Sequence, residues 1–401
     1  MEVFETNVIG SIELKNRIIR SATYEGMCDN LGFPTTKYYE MYENLARNEI
    51  GGIITGFAYI SEDGKAMQPG QAGIDNDSKI PYFQKLTDIV HKYHSKIFMQ
   101  IAHTGRQTKK SVTGKEVVGC SAKKSIYFNE KPRVLTTNEV YQIIDKFGNS
   151  ACYAKESGFD GIQLHAAHGY LIHQFLLPSV NKRQDEFKID KTSNICTRFL
   201  DLVIDNVRAK CGDKFPVLIK ISGSDDYYRK FDEQQLINLI QFLNIKKLSA
   251  IEISYGTMDF ALNIFRGDMP DDLILSKNPI FNSGSFYSRF FKKTIALNFF
   301  KVKLKPYGPM YNLGYASIAK KYTTIPIISV GGFRTYNEIE YAIKEKRIDF
   351  VSLCRPFVAE PDFVIKLMHD RNYKSKCMNC NYCAIMCDSN NRTMCYKNLQ
   401  Q

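Results

Sequence analysis

The chain has 401 residues, of which 44% are hydrophobic and 24% charged, values that suit a soluble globular protein with a sizeable core. No run of about 18 apolar residues occurs, which excludes a membrane-spanning helix. The net charge of +12 favours phosphorylated ligands; nucleic acid is disfavoured as a partner because Lys and Arg are spread along the chain.

The N-terminus, MEVFETNVIGSIELKNRIIRS, has no apolar signal-peptide core and no small-residue cleavage site, so a cytoplasmic protein is expected. Short β-branched runs then recur. NRIIRSA (16–22) and IGGIITGFAYI (50–60) come first. A helical pattern follows over 78–95, with Ile80, Phe83, Leu86, Ile89, Val90 and Tyr93 at helical spacing. KIFMQIAH (96–103) is the third run, and a second helix over 138–158 ends at Gly158, a suitable cap. FDGIQLHAAH (159–168), FPVLIKISG (215–223), LSAIEISYG (248–256) and IPIISVGG (325–332) continue the series. A shorter helix over 336–347 precedes the last run, IDFVSLC (348–354).

Eight strand–helix units predict an α/β fold, a (β/α)8 TIM barrel, whose strands read as continuous apolar runs because both faces are buried. A doubly wound open sheet is the alternative. It usually has a glycine-rich turn after the first strand, where this chain has SATYEGM. Residues 257–315, between the sixth and seventh strands, are too long for one crossover and are rich in Phe, Tyr and Lys. They predict an excursion over the catalytic face, read either as a substrate lid or as peripheral packing. The expected organisation is a barrel over 1–365 and a cysteine-rich tail over 366–401.

Barrel enzymes carry their chemistry at the C-terminal ends of the strands. Gln100 closes the third strand as a polar residue in an apolar run. Lys220 stands near the end of the fifth, where a snorkelling lysine is one reading and a cation facing an electron-rich ligand atom the other; beside a flavin it would stabilise the anion formed on reduction. Gly331 and Gly332 end the seventh strand, and Arg355 follows Cys354 at the end of the eighth. A bare turn is one reading of the glycine pair; with Arg355 one unit later, a phosphate site is favoured.

The fourth strand ends in His165, with His168 and Tyr170 just beyond. A core histidine, a metal site and a pair of donors gripping a carbonyl oxygen are the three readings. No Asp or Glu falls beside the pair to complete a metal site, and HAAH lacks the glutamate of zinc-hydrolase helices. Two donors with a tyrosine as nearby proton source would suit an activated alkene.

Six of the eleven cysteines are scattered and read as buried thiols. The other five, Cys377, Cys380, Cys383, Cys387 and Cys395, crowd the tail. Cys-x2-Cys-x2-Cys-x11-Cys uses four of them and leaves Cys387 as an alternate ligand, since Cys380-x2-Cys383-x3-Cys387 is also workable. An iron–sulfur cluster is favoured over zinc, because three of the cysteines are consecutive and not paired in separated knuckles. A cysteine-rich remnant is the bland reading.

The motifs LKNRIIRSATYEG, QIAHTGRQ, GFDGIQLHAAHGYLIHQFLLPSVNKRQDEF, ISVGGFR and CRPFVAEPDF, in that order between residues 3 and 365, together resemble the Old Yellow Enzyme family of FMN-dependent ene-reductases. The resemblance implies FMN across the barrel mouth, with Ser21, Ala22 and Thr23 beneath or beside the ring, and Gly56 and Gln100 in contact. Lys220 would stand near the pyrimidine edge, while Gly331, Gly332, Cys354 and Arg355 hold the phosphate. His165 and His168 would bind the substrate oxygen and Tyr170 would donate a proton, with NAD(P)H as reductant using the same pocket. The substrate implied is an enone or enoyl compound. The tail resembles the cluster segment of the 2,4-dienoyl-CoA reductases and trimethylamine dehydrogenase, implying a [4Fe-4S] cluster on Cys377, Cys380, Cys383 and Cys395. Those relatives carry further domains after the cluster, so an external electron-transfer partner is expected. The rival expectation is a metal-dependent barrel hydrolase built on His103, His165 and His168.

Overall fold

The structure, a computed structural model, describes residues 2–285, 287 and 292–397. Eight parallel strands form one closed ring: β1 (Ile18–Arg20), β2 (Gly52–Ile54), β3 (Lys96–Ala102), β4 (Gly161–Ala166), β5 (Val217–Ser222), β6 (Ala250–Ser254), β7 (Ile327–Val330) and β8 (Phe350–Leu353). Each pairs with the next, and β8 pairs back to β1. All eight predicted strands are therefore present, and the open-sheet alternative falls because the ring has no edge. Eight helices surround the barrel, one after each strand: α1 (Thr36–Ala46), α2 (Ile80–His91), α3 (Thr137–Glu156), α4 (Arg198–Cys211), α5 (Glu233–Ile245), α6 (Leu313–Lys321), α7 (Tyr336–Lys344) and α8 (Phe363–His369). The local chemistry sets their ends. In α3, Thr136 and Glu139 form a reciprocal capping box.

Side chains alternate in and out along each strand, and this period of two divides the barrel interior into layers. Ile19, Ile54, Phe98, Leu218, Ala250, Ile328 and Phe350 form an apolar plug, closed from below by Ile9 and Leu14 of an N-terminal hairpin. Two residues further along their strands, Ser21, Gln100, Lys220, Glu252 and Ser352 face the same interior. All five are buried. The inside of the barrel thus changes from apolar to polar in one step towards the C-terminal ends.

The excursion after β6 contains the short helices Ala261–Phe265, Asp271–Lys277, Pro279–Asn282 and Leu297–Lys303. They build a separate apolar cluster of Ile274, Phe281 and Leu297, joined by Ile385 from the tail. Residues 286 and 288–291 of the Phe-rich stretch lie outside the described residues. The excursion is tied down at its start by Asp259, fully buried, which pairs with Arg106 and accepts from Ser125 Oγ (2.7 Å) and the Ile126 N–H (2.8 Å).

α8 crosses the expected boundary at 365/366, and the tail packs back over the barrel mouth. The Ser375 N–H donates to the Arg334 carbonyl (2.9 Å), the Asp268 N–H to the Asn379 carbonyl (3.0 Å) and the Thr393 N–H to the Glu25 carbonyl (2.7 Å). Among the described residues, no helix is long and apolar enough to cross a membrane.

Candidate active site

The polar layer is one hydrogen-bonded network. Gln100 Nε2 donates to Gln163 Oε1 (2.7 Å), and Gln163 Nε2 donates to Glu252 Oε2 (2.8 Å). Ser21 Oγ and Ser352 Oγ both donate to Glu252 Oε1 (2.6 Å each). Lys220 Nζ donates to Ser21 Oγ (2.8 Å) and pairs with Glu252 at 3.2 Å. Buried polar groups need partners, and here each one supplies another.

One pleat above Gln163 stands His165. The chain then turns sharply: His168 takes φ +60° and Gly169 φ +77°, left-handed values that histidine seldom adopts. The turn brings His168 back over the strand ends, where Nε2 shares a 2.8 Å hydrogen bond with Ser254 Oγ. The rings of His165 and His168 lie 5.0 Å apart, edge to face, and the ring of Tyr170 is 4.7 Å from that of His165. Burial holds both histidines well below the usual imidazole range, helped by the nearby Lys220 charge; His168 further depresses His165. Both rings are therefore neutral donors at pH 7. Burial, with the charges of Cys387 and Asp388, pushes the Tyr170 phenol well up, so it keeps its proton. The third histidine of the motif is structural. His173 Nδ1 accepts the Gly169 N–H (2.9 Å) and fastens the turn.

Three cavities are lined by residues the sequence singled out. The first, about 560 Å³, is lined by Ala22, Lys220, Gly331, Gly332, Cys354 and Arg355, with His168 beside them. Gly331 takes φ +120°, and any Cβ there would run into the Tyr311 ring. Four other residues expected around the cofactor do not line this space. Ser21 and Gln100 lie in the polar layer. Thr23 turns its hydroxyl onto the Ser21 carbonyl (2.9 Å). Gly56 gives its N–H to Glu25 (2.6 Å), whose carboxylate occupies the place of a side chain. Sequence reasoning passed over Arg334, which lines the cavity and keeps a buried Nε without a partner. The arginine directly after GGF was the available signal.

The second cavity has a volume of about 890 Å³. Tyr170, Phe57, Tyr24, Tyr127, Phe281 and Phe300 make it largely aromatic. The tail supplies one wall through Ala384, Ile385, Cys387 and Asp388. The third cavity gathers Cys377, Cys380, Cys383 and Cys395. Cys387 faces the second cavity and not this one. Among the described residues no three His, Cys, Asp or Glu side chains are grouped tightly enough for one metal ion. Arg355 belongs to both the first and third cavities; it donates to Asn381 Oδ1 (2.7 Å) and the Arg266 carbonyl (2.9 Å). His103 lines none of the three, and its Nδ1 accepts the Gly105 N–H (3.0 Å).

Comparison with known proteins bears on the family and the fold. Residues 2–262 match the model of the NADH:flavin oxidoreductase / NADH oxidase family. The NADH oxidase of Thermoanaerobacter brockii is 28% identical over 381 residues, covering 94% of this chain and 52% of that protein. The NADPH dehydrogenase of Clostridium acetobutylicum is 29% identical, covering 93% and 96% respectively. The cinnamate reductase of Clostridium sporogenes is 28% identical, covering 93% and 53%. The chain thus spans about half the length of several curated relatives it matches. In fold it is similar to the old yellow enzyme homologue from Zymomonas mobilis, with a TM-score of 0.74 at 22% identity over 95% of this chain and 96% of that one.

Proposed function

The chain belongs to the NADH:flavin oxidoreductase / NADH oxidase family, and from that premise we propose that it uses FMN and NAD(P)H to reduce the C=C bond of an α,β-unsaturated carbonyl compound. The observation that carries this reading is the ring cluster of His165, His168 and Tyr170, of which His168 lines the first cavity and Tyr170 the second.

The first cavity suits FMN by the chemistry of its donors. Its glycine pair lets backbone approach an anion closely, Arg355 and Arg334 supply positive charge, and the unpartnered Arg334 Nε is a donor awaiting an acceptor. Bound there, FMN would supply the hydride chemistry that links NAD(P)H to the alkene.

The protein's own groups do the rest. His165 and His168, neutral and aimed from one strand end, donate to the carbonyl oxygen and draw electron density off the double bond. His165 Nδ1 lies 3.4 Å from the Ala167 N–H, which leaves the Nε2 proton for the substrate. Tyr170 holds the proton delivered to the α-carbon. The aromatic cavity excludes water and receives the apolar part of the substrate. That a relative is a cinnamate reductase supports an aryl-substituted enoyl compound as one class accepted here.

The reading extends to the tail. The cavity bounded by Cys377, Cys380, Cys383 and Cys395 suits a [4Fe-4S] cluster better than zinc, which needs every sulfur about 2.3 Å from a single point. A cluster supplies single-electron transfer. Since NAD(P)H delivers electrons in pairs, an electron-transfer partner belongs to this reading. All eleven cysteines are free, which supports a reducing, cytoplasmic setting.

The test is a visible spectrum of protein purified without oxygen, an iron assay, and single-turnover mixing with NADH or NADPH and then cinnamaldehyde. Flavin bands that bleach with nicotinamide and return with the enal are expected. A chain that cannot be loaded with FMN sinks the proposal.

A further inference from the structure

Glu252 is a carboxylate fully buried at the centre of the barrel. The layer beneath it is wholly apolar, so the core did not require a charge there. Its carboxylate bonds across the barrel interior to Ser21 at the β1 end, Gln163 of β4, Lys220 of β5 and Ser352 of β8. It does not line the cofactor cavity, whereas Lys220 does. The hydroxyl of Ser21 links the two, accepting from Lys220 Nζ and donating to Glu252 Oε1. The ammonium is thus held at two points within its own layer.

We propose that Glu252 is a positioning residue that fixes Lys220 at the floor of the cavity, offsets part of its charge, and thereby sets the reduction potential of the flavin bound above it. The inference rests on the reading of that cavity as the FMN site. A cation beside the flavin favours the reduced, anionic form; a carboxylate 3.2 Å from that cation weakens the effect. Few waters screen the pair, because both partners are buried. The serines and Gln163 serve as donors that keep the carboxylate aimed.

The experiment compares the midpoint potentials of FMN-loaded wild type, Glu252→Gln, Glu252→Asp and Lys220→Gln, followed at the flavin bands against a reference dye. Glu252→Gln keeps the shape and removes the charge. Its reduction equilibrium should move at least tenfold towards the reduced form, about 30 mV upward for a two-electron couple. Glu252→Asp restores the charge and should return the potential to within threefold of wild type. Lys220→Gln should move it at least tenfold the other way. A Glu252→Gln protein that holds FMN and titrates like wild type overturns the inference. If Glu252→Gln does not fold, an unmoved potential in Lys220→Gln overturns it instead. Wild type that takes up no FMN overturns the reading of the cavity, a result distinct from either.

Discussion

The rings of His165 and Tyr170 meet edge to face, 4.7 Å apart and 68° inclined, and Phe57 packs against both at 5.9 and 5.1 Å. This three-ring cluster holds the phenol in one orientation at the wall of the aromatic cavity. On the proposed reading this separates the labour of the fourth strand end: His165 would reach the substrate oxygen, and Tyr170 another atom of the same molecule.

Removing only the phenol oxygen should therefore separate the two halves of the reaction. Tyr170→Phe keeps the stack. Flavin reduction by NAD(P)H should stay within twofold of wild type, whereas alkene reduction should fall by roughly 10²–10⁴, the usual worth of a positioned acid. Stopped-flow measurement of each half-reaction checks this. Equal loss in both halves would mean that Tyr170 shapes the site without serving as the acid.

The two imidazoles should bind substrate without titrating. Both are held well below the usual histidine range, chiefly by burial. Affinity for an enone or phenolic ligand should be flat from pH 6 to 8. His165→Ala should weaken it by about 1.5–3 kcal/mol, the scale of a hydrogen bond to a charged or strongly polarised acceptor. Flavin-quenching titrations across that range measure both quantities, and a break near pH 6.5 would contradict the neutral assignment.

His173 should limit stability in acid. Burial lowers it to about 3, and its Nδ1 is occupied as an acceptor. Below about pH 6.5 the unfolded chain binds a proton that the folded one refuses, so stability falls as pH drops from there towards 3. By pH 5 the loss from this residue is roughly 2 kcal/mol. Asp225, pushed up to about 6 by burial, works in the opposite sense between its unfolded value and 6. The comparison must therefore be between proteins: His173→Gln should lose less stability than wild type between pH 7 and 5 in urea unfolding. Parallel acid limbs would refute it.

How much of this was legible depended on range. The eight strands could be read because burial on both faces leaves continuous apolar runs, as in KIFMQIAH, and the strand end of the candidate site because histidines in HAAHGY break such a run. Glu252 was present in AIEIS as a charge inside a strand, but its partners come from β1, β4, β5 and β8, and only barrel closure brings them together. Gly56 could be placed near the site from its motif; that its amide serves Glu25 depends on a contact 31 residues away in the chain. The N-terminal hairpin has strands of three residues, too short for alternation to stand out. The tail's ligand choice was ambiguous by spacing alone; the fold puts Cys383 in one cavity with Cys377, Cys380 and Cys395, and Cys387 in another.

That folding makes the tail testable in two ways at once. The helix Tyr382–Met386 begins beside the four-cysteine cavity and ends beside the aromatic one. Cys383→Ser should abolish bound iron in anaerobically purified protein, while Cys387→Ser should leave iron content within a fifth of wild type, because its thiol faces the substrate side. Loss of the cluster should also loosen the wall made by Ala384 and Ile385. Cys383→Ser should accordingly raise KM for a bulky enone several-fold while FMN content stays unchanged, since Gly331, Gly332 and Lys220 belong to the barrel. Iron lost equally in both variants would place Cys387 among the ligands, and an unchanged KM in iron-free protein would show that the wall stands without the cluster.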